Sequence, residues 1–201
     1  NKENTHYVHI KSGKGASLYN LGFNTGIYVE EGKQYDFYVF ARGKEGTKIK
    51  VSVVDADGIN VLKAHKDILR GRAYPTILTP HDGEFARLMG KMPSEDRTSA
   101  AVDAANEMGC VMLLKGHETR ISDGTVCYRN RTGNPGMAVG GSGDLLAGII
   151  VSLIGQGMSA ITATAVAAWL HGAAGDRCAQ ELGQYGMLPT DMLLALPRLM
   201  K

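Results

Sequence analysis

The chain has 201 residues, 44% of them hydrophobic and 21% charged, which excludes a disordered protein and fits one domain of ordinary size or one domain with part of another. A formal net charge of +2 with a pI of about 8.4 supplies no basic field that would bind nucleic acid or an acidic membrane. The longest apolar run, Leu145 to Ile154, is broken by Gly148 and falls short of the roughly 20 residues a membrane span needs. Three cysteines, Cys110, Cys127 and Cys178, are too few and too scattered for a disulfide framework or a zinc site, which fits a reduced cytoplasmic protein. The chain starts at Asn1 without a signal peptide and its first methionine is Met89, so its beginning reads as that of a fragment.

Two vocabularies meet near Val51 to Gly58. Eight of the thirteen aromatic residues lie before residue 53, and all nine methionines lie after residue 88. In the first stretch, Thr5 to Ile10, Gly26 to Glu30, Tyr35 to Ala41 and Thr47 to Val53 alternate polar with apolar residues between glycine-rich turns. They predict an antiparallel sandwich, incomplete because about seven strands are needed to cover both sheets. Tyr7, Tyr19, Phe23, Tyr28 and Tyr35 are either sandwich core or sugar-stacking candidates.

Beyond Val51 the pattern alternates strands with helices. Val51 to Val54, Thr76 to Leu78 and Val111 to Leu114 are short apolar runs of the kind buried in a parallel sheet. A helix is expected over about Glu95 to Met108, with Ser94 as N-cap and Gly109 as stop. Arg120 to Tyr128 predicts a hairpin turning on Asp123-Gly124. Helices follow at Asp144 to about Leu153 and at Ser159 to about Leu182, the second rich in Ala and Gly and so able to pack closely. His171 and Trp169 on that helix are expected in the core, with the methionines as filler. This is an α/β layered fold.

Ligands of open parallel sheets bind beyond the carboxyl ends of the strands. Each of the three strands ends in a polar cluster: Asp55 to Asn60 (with Asp57), Thr79 to Glu84, and Lys115 to Thr119. The strongest element is Gly133-Asn-Pro-Gly-Met-Ala-Val-Gly-Gly-Ser-Gly-Asp144, a glycine-rich loop opening into a buried helix. Glycines let the backbone approach an anion, and the first-turn N–H groups point at it with the positive end of the helix dipole. It is neither a Walker A loop nor a dinucleotide fingerprint. Gly140, Gly141, Ser142 and Gly143 therefore form a candidate anion hole. A carboxylate that only bound phosphate would be repelled there, so Asp144 reads either as a helix-start residue or as a base that takes a proton while phosphate is transferred. His81 is either a structural residue after a strand or a substrate contact. Lys115 is either a solvated strand end or a phosphate partner.

These motifs together carry a resemblance. From about Val53 to the end, the stretches DADGINVL, TPHDGEFARLMG, LLKGHET, GNPGMAVGGSGDLLAGII, AVAAWLHGAAGD and PTDMLLALP resemble the ADP- or ATP-dependent NAD(P)H-hydrate dehydratases of the ribokinase-like superfamily. The resemblance implies a ribokinase-like doubly wound sheet, of which only the C-terminal half is present. It also implies that hydrated NADH or NADPH (NADHX, NADPHX) is phosphorylated on its ring hydroxyl by ADP or ATP with Mg²⁺, and that loss of phosphate restores the dihydropyridine. On matching positions, His81 and Asp144 would contact the hydrated dinucleotide with Asp144 as base. Lys115, Gly116, His117, Glu118, Thr119 and Gly143 would line the adenine nucleotide site. Asp57, Asn60 and Asn134 would support them, no metal would be held by protein side chains, and the protein would be a cytoplasmic homo-oligomer.

Residues 1–53 resemble part of the sugar-binding β-sandwich that precedes the barrel of α-L-arabinofuranosidases, through THYVHI, GASLYNLGFNTGIYVEEGKQYDFYVFARG and TKIKVSV. The expected organisation is therefore a partial sandwich over 1–53 and a partial dehydratase domain over 54–201, a chimera of two gene fragments. Alternatives at this point are a ribokinase-like small-molecule kinase, a carbohydrate-binding module, and a fragment without activity.

Overall fold

The computed structural model describes residues 8–10, 35–37, 62 and 66–200. Strands β1 (Val8–Ile10) and β2 (Tyr35–Phe37) pair antiparallel, with Val8 opposite Phe37 and Ile10 opposite Tyr35. Both fall where alternation predicts strands. The other strands expected before residue 55 lie outside the described residues, as does the rest of the sandwich.

The main body is a sheet of β3 (Ile77–Leu78), β4 (Val111–Leu114), β5 (Arg120–Ser122) and β6 (Cys127–Arg129), in that spatial order. Helices α1 (Asp82–Met89) and α2 (Arg97–Met108) separate β3 from β4, and α3 (Ser142–Gly155), α4 (Ala160–Leu182) and α5 (Pro189–Leu199) follow the sheet. Among the described residues only β3 and β4 run parallel; β5 and β6 return as an antiparallel meander.

Strand β4 explains the layering. Its four side chains are all buried, and a strand sends successive side chains to opposite faces. Val111 and Leu113 join a core with α3, α4 and α5, while Met112 and Leu114 join a second core with Phe85 and Leu88 of α1 and Ala101, Ala104 and Ala105 of α2. Helices thus cover both faces, as a doubly wound sheet requires, and an unbroken apolar run is the sequence signature of such a strand. Each leucine contributes about 1.5–3 kcal/mol by leaving water.

Several local expectations change. The N-cap of α2 is Asp96, whose Oδ1 accepts from the Thr98 and Ser99 N–H groups at 3.0 and 3.4 Å. The Ser94 hydroxyl instead donates to the Asp96 carbonyl at 2.8 Å. Two residues closer to the apolar register, Asp96 can reach the free first-turn donors and Ser94 cannot. Gly109 stops the helix as expected, at φ 62°. The hairpin spans four residues between Ser122 and Cys127, because Asp123 Oδ1 accepts from both Thr125 and Val126 N–H groups and widens the turn. Trp169 is half exposed, and Met92, Met158 and Met200 are exposed, so they are not core filling. Met108, Met112, Met187 and Met192 are. Helices α1 and α5, not anticipated, begin within the TPHDGEF and PTDM motifs. Among the described residues no helix is long and apolar enough to cross a membrane, and all three cysteines are free thiols, Cys110 pushed up to about 12 by burial.

Candidate functional site

Parallel pairing places the ends of β3 and β4 side by side. The Lys115 N–H donates to the Pro80 carbonyl at 2.8 Å, so Thr79–Glu84 and Lys115–Thr119 share one edge of the sheet, as the sequence predicts. Asp57 and Asn60, in the cluster after the first expected strand, lie outside the described residues.

His81 has a defined local task. Its Nδ1 accepts from the Gly83 and Glu84 N–H groups at 3.0 and 3.3 Å, and Glu84 Oε2 accepts the His81 N–H at 2.7 Å, closing a capping box at the start of α1. An accepting Nδ1 puts the ring proton on Nε2. Nε2 sits 3.2 Å from Glu84 Oε1 on a ring whose side chain is 53% exposed. One nitrogen of His81 thus caps α1 and the other lies against Glu84, on a ring half open to solvent.

Glu84 ties this corner together. It is buried, yet its Oε2 also lies 3.5 Å from Lys115 Nζ. Arg97, the first residue of α2, pairs through Nη1 with Asp82 Oδ1 at 2.8 Å and donates through Nη2 to the Lys115 carbonyl at 2.7 Å. Both ends of Lys115 are thereby fixed, its backbone by Arg97 and Pro80, its ammonium by Glu84. A buried charge is tolerated only with such partners. Beyond it, Gly116 to Thr119 make a tight turn closed by the Thr119 hydroxyl on the Gly116 carbonyl at 3.1 Å. Glu118 stands at φ 56°, and its carboxylate is committed to Arg129 and Arg120, with the Arg129 hydrogen bond holding it below the usual carboxylate range. His117 is exposed at the crest of the turn.

The glycine-rich loop reaches the same edge. Gly140 is exposed, and Gly141 precedes α3 at φ 87°, a left-handed conformation that favours glycine. No side chain caps α3, whereas His81, Asp96 and Ser159 cap α1, α2 and α4. Ser142, buried, meets His171 Nε2 of α4 at 3.2 Å through its Oγ. Burial lowers the His171 pKa to about 4, so the imidazole is neutral at physiological pH and is the core residue the sequence predicts. A side-chain carbon placed on Gly143 would stand 3.9 Å from Lys115 Nζ. An ammonium and an open helix N-terminus thus converge on one spot, with Asp144 exposed in the same first turn. Such an arrangement has the chemistry to attract an anion, with a carboxylate beside it. Among the described residues no three His, Cys, Asp or Glu side chains gather to hold a metal ion.

Upstream, Asn134 Oδ1 accepts the Gly136 N–H at 3.1 Å and Asn134 Nδ2 donates to Asp176 Oδ1 of α4 at 3.0 Å. Glu84, Arg97 and Asp176 were not singled out from the sequence. Glu84 carried a faint signal, the spacing of a capping box from His81; Asp176 carried only its place at the end of AVAAWLHGAAGD and Arg97 none, because their partners are 42 and 18 residues away.

The chain matches the family described as NAD(P)H-hydrate dehydratase over residues 30–198, a match that begins inside the stretch that resembles a sandwich. It is 48% identical over 155 residues to a bifunctional NAD(P)H-hydrate repair enzyme of Moorella thermoacetica, covering 75% of this chain and 29% of that protein. It is 42% identical over 141 residues to an ADP-dependent (S)-NAD(P)H-hydrate dehydratase of Neisseria meningitidis, covering 67% of this chain and 47% of that one. The structure resembles the Bacillus subtilis ADP/ATP-dependent NAD(P)H-hydrate dehydratase crystallised with ATP and Mg²⁺, with a TM-score of 0.60 and 33% identity over 66% of this chain and 51% of that chain. A ribokinase-like superfamily protein of Enterococcus faecalis matches with a TM-score of 0.63 and 31% identity over 75% of this chain and 52% of that chain. The chain spans less than half the length of these curated relatives.

Proposed function

The chain belongs to the NAD(P)H-hydrate dehydratase family, and from that premise we propose that it takes part in the ADP- or ATP-dependent repair of hydrated NADH and NADPH. The observation that carries the reading is the convergence of Lys115 Nζ, Gly143 and the uncapped start of α3 on one edge of the sheet. The transferable phosphate lies against the first N–H groups of α3, where the dipole and Lys115 balance its charge. Asp144 takes the proton of the ring hydroxyl as that oxygen bonds to the phosphorus and the nucleotide leaves. Phosphate then departs with a proton of the neighbouring ring carbon, restoring the double bond.

The half-exposed face of His81 borders the hydrated ring, and the turn Gly116–Thr119, with His117 at its crest, borders the adenine nucleotide. Mg²⁺ would arrive on the nucleotide phosphates. Residues 54–201 would be the part of the dehydratase domain that does this, within a cytoplasmic homo-oligomer. The test is turnover of hydrated NADH with Mg-ATP, followed by the return of dihydropyridine absorbance. Asp144→Asn should lower kcat by about 10²–10⁴-fold while leaving the Mg-ATP Kd within a few-fold. Turnover undiminished by that change, or a stable phosphate ester as the only product, would refute the assignment.

A further inference from the structure

The segment leading into the anion loop lies along one face of α4. Ala168, Gly172, Gly175 and Asp176 recur at the spacing that stacks residues on one side of a helix. Asn130 Nδ2 donates to the Ala168 carbonyl at 3.3 Å, and the Thr132 hydroxyl donates to the Trp169 carbonyl at 2.9 Å. Side chains at Gly172 and Gly175 would overlap Thr132 and Met137, so their absence lets the segment touch the helix. At the end of this track Asp176 Oδ2 accepts the Gly133 N–H at 2.8 Å, and its Oδ1 accepts from Asn134 Nδ2 at 3.0 Å.

Donor counting makes the last contact specific. Gly133 N–H and Asn134 Nδ2 are both donors, so the group facing them must offer two acceptors, which a carboxylate does and an amide does not. Asn134 cannot reverse its amide to help, because its oxygen already accepts the Gly136 N–H at 3.1 Å.

We propose that Asp176 is a positioning residue for the anion loop. Through Gly133 and Asn134 it sets where the chain leaves α4, and so where the N–H groups of Gly140 to Asp144 stand relative to Lys115. His171, on the same helix, holds the downstream end through Ser142. The inference rests on the phosphate-site reading of that loop. Asp176 itself touches no reacting group.

A reciprocal exchange tests it. In Asp176→Asn an amide NH₂ meets a donor whichever way it turns, and in Asn134→Asp two carboxylates face each other. With both substitutions together, the carboxylate at position 134 accepts from Gly136 N–H and from the amide at position 176, whose oxygen accepts from Gly133 N–H. All three hydrogen bonds return. The readouts are the Mg-ATP Kd by calorimetry and amide hydrogen exchange at Gly140 to Asp144. Each single variant should raise the Kd roughly tenfold and speed exchange in the loop, and the double exchange should restore both to within about twofold. Asp96→Ala, which removes the α2 cap, should leave both unchanged. Single variants that melt earlier but bind and exchange normally would make Asp176 a merely stabilising residue and overturn the proposal, as would a double variant that does not recover. If the unsubstituted chain binds no Mg-ATP, the phosphate-site reading fails, and the exchange pattern alone decides for or against the clamp.

Discussion

Two helices begin on the same edge of the sheet and are built in opposite ways. At the start of α1, His81 and Glu84 exchange hydrogen bonds until the first-turn donors are satisfied. At the start of α3, no side chain caps the helix, glycines replace the usual cap residues, and the Lys115 ammonium beside it is paired with the very carboxylate that seals α1. A closed helix end stabilises the fold by itself; an open one keeps its N–H groups and dipole for something else. Glu84 links the two, since it serves the α1 cap with one contact and holds Lys115 toward α3 with another. The contrast teaches that the same edge carries one closed helix start and one open one, the second proposed above as the binding device, coupled through a single buried side chain.

Changes in the core of β4 set the scale. Leu113 and Leu114 are fully buried on opposite faces of β4, so Leu113→Ala and Leu114→Ala should each cost about 3 kcal/mol in chemical denaturation. If each helix layer depends on its own side of the sheet, only Leu113→Ala should also weaken Mg-ATP binding, because its face carries α3. Equal effects on binding would dissolve the distinction between the layers.

The burial of His171 beneath α3 should make stability depend on pH. The folded-state pKa is about 4 against 6.5 for a free imidazole, so as pH falls the unfolded chain takes up the proton first. The contribution is fully present above pH 6.5, is lost as pH falls toward 4, and levels off below, with a size on the order of 3 kcal/mol. His171→Gln should remove this part of the pH dependence of the melting temperature; an unchanged profile would show that the ring is not held neutral.

Breaking the link between the two helix starts comes next. Glu84→Gln keeps an acceptor for the His81 N–H but loses the charge facing Lys115, and should cost roughly 1–2 kcal/mol of stability and weaken nucleotide binding several-fold. Stability lost without any change in affinity would mean the coupling to α3 is absent. The smallest effect should be Asp96→Ala, which removes an ordinary cap at about 1 kcal/mol and should leave nucleotide affinity alone.

Much of this arrangement was legible locally. A four-residue apolar run announces a strand buried on both faces, Gly109 announces a helix stop, and a glycine-rich loop before an apolar helix announces an open N-terminus, because each depends on neighbours in the chain. The cap of α2 was misplaced by two residues, since Ser94 and Asp96 are equally good cap types and only the helix register chooses between them. Trp169 was expected inside and stands half exposed, because an Ala-rich helix carries no periodic signal to say which face meets the core.

By itself the sequence determined the strands β3 to β6, the helices α2 to α4, the family, and the glycine-rich loop ahead of α3, all properties of local pattern and motif. Tertiary structure alone decided that Glu84 would hold Lys115, that Arg97 would brace the end of β4, and that Asp176 would grip the segment 42 residues before it. These contacts join residues distant along the chain, and they exist only because parallel pairing of β3 with β4 and the packing of α4 beside the loop bring them within hydrogen-bond reach.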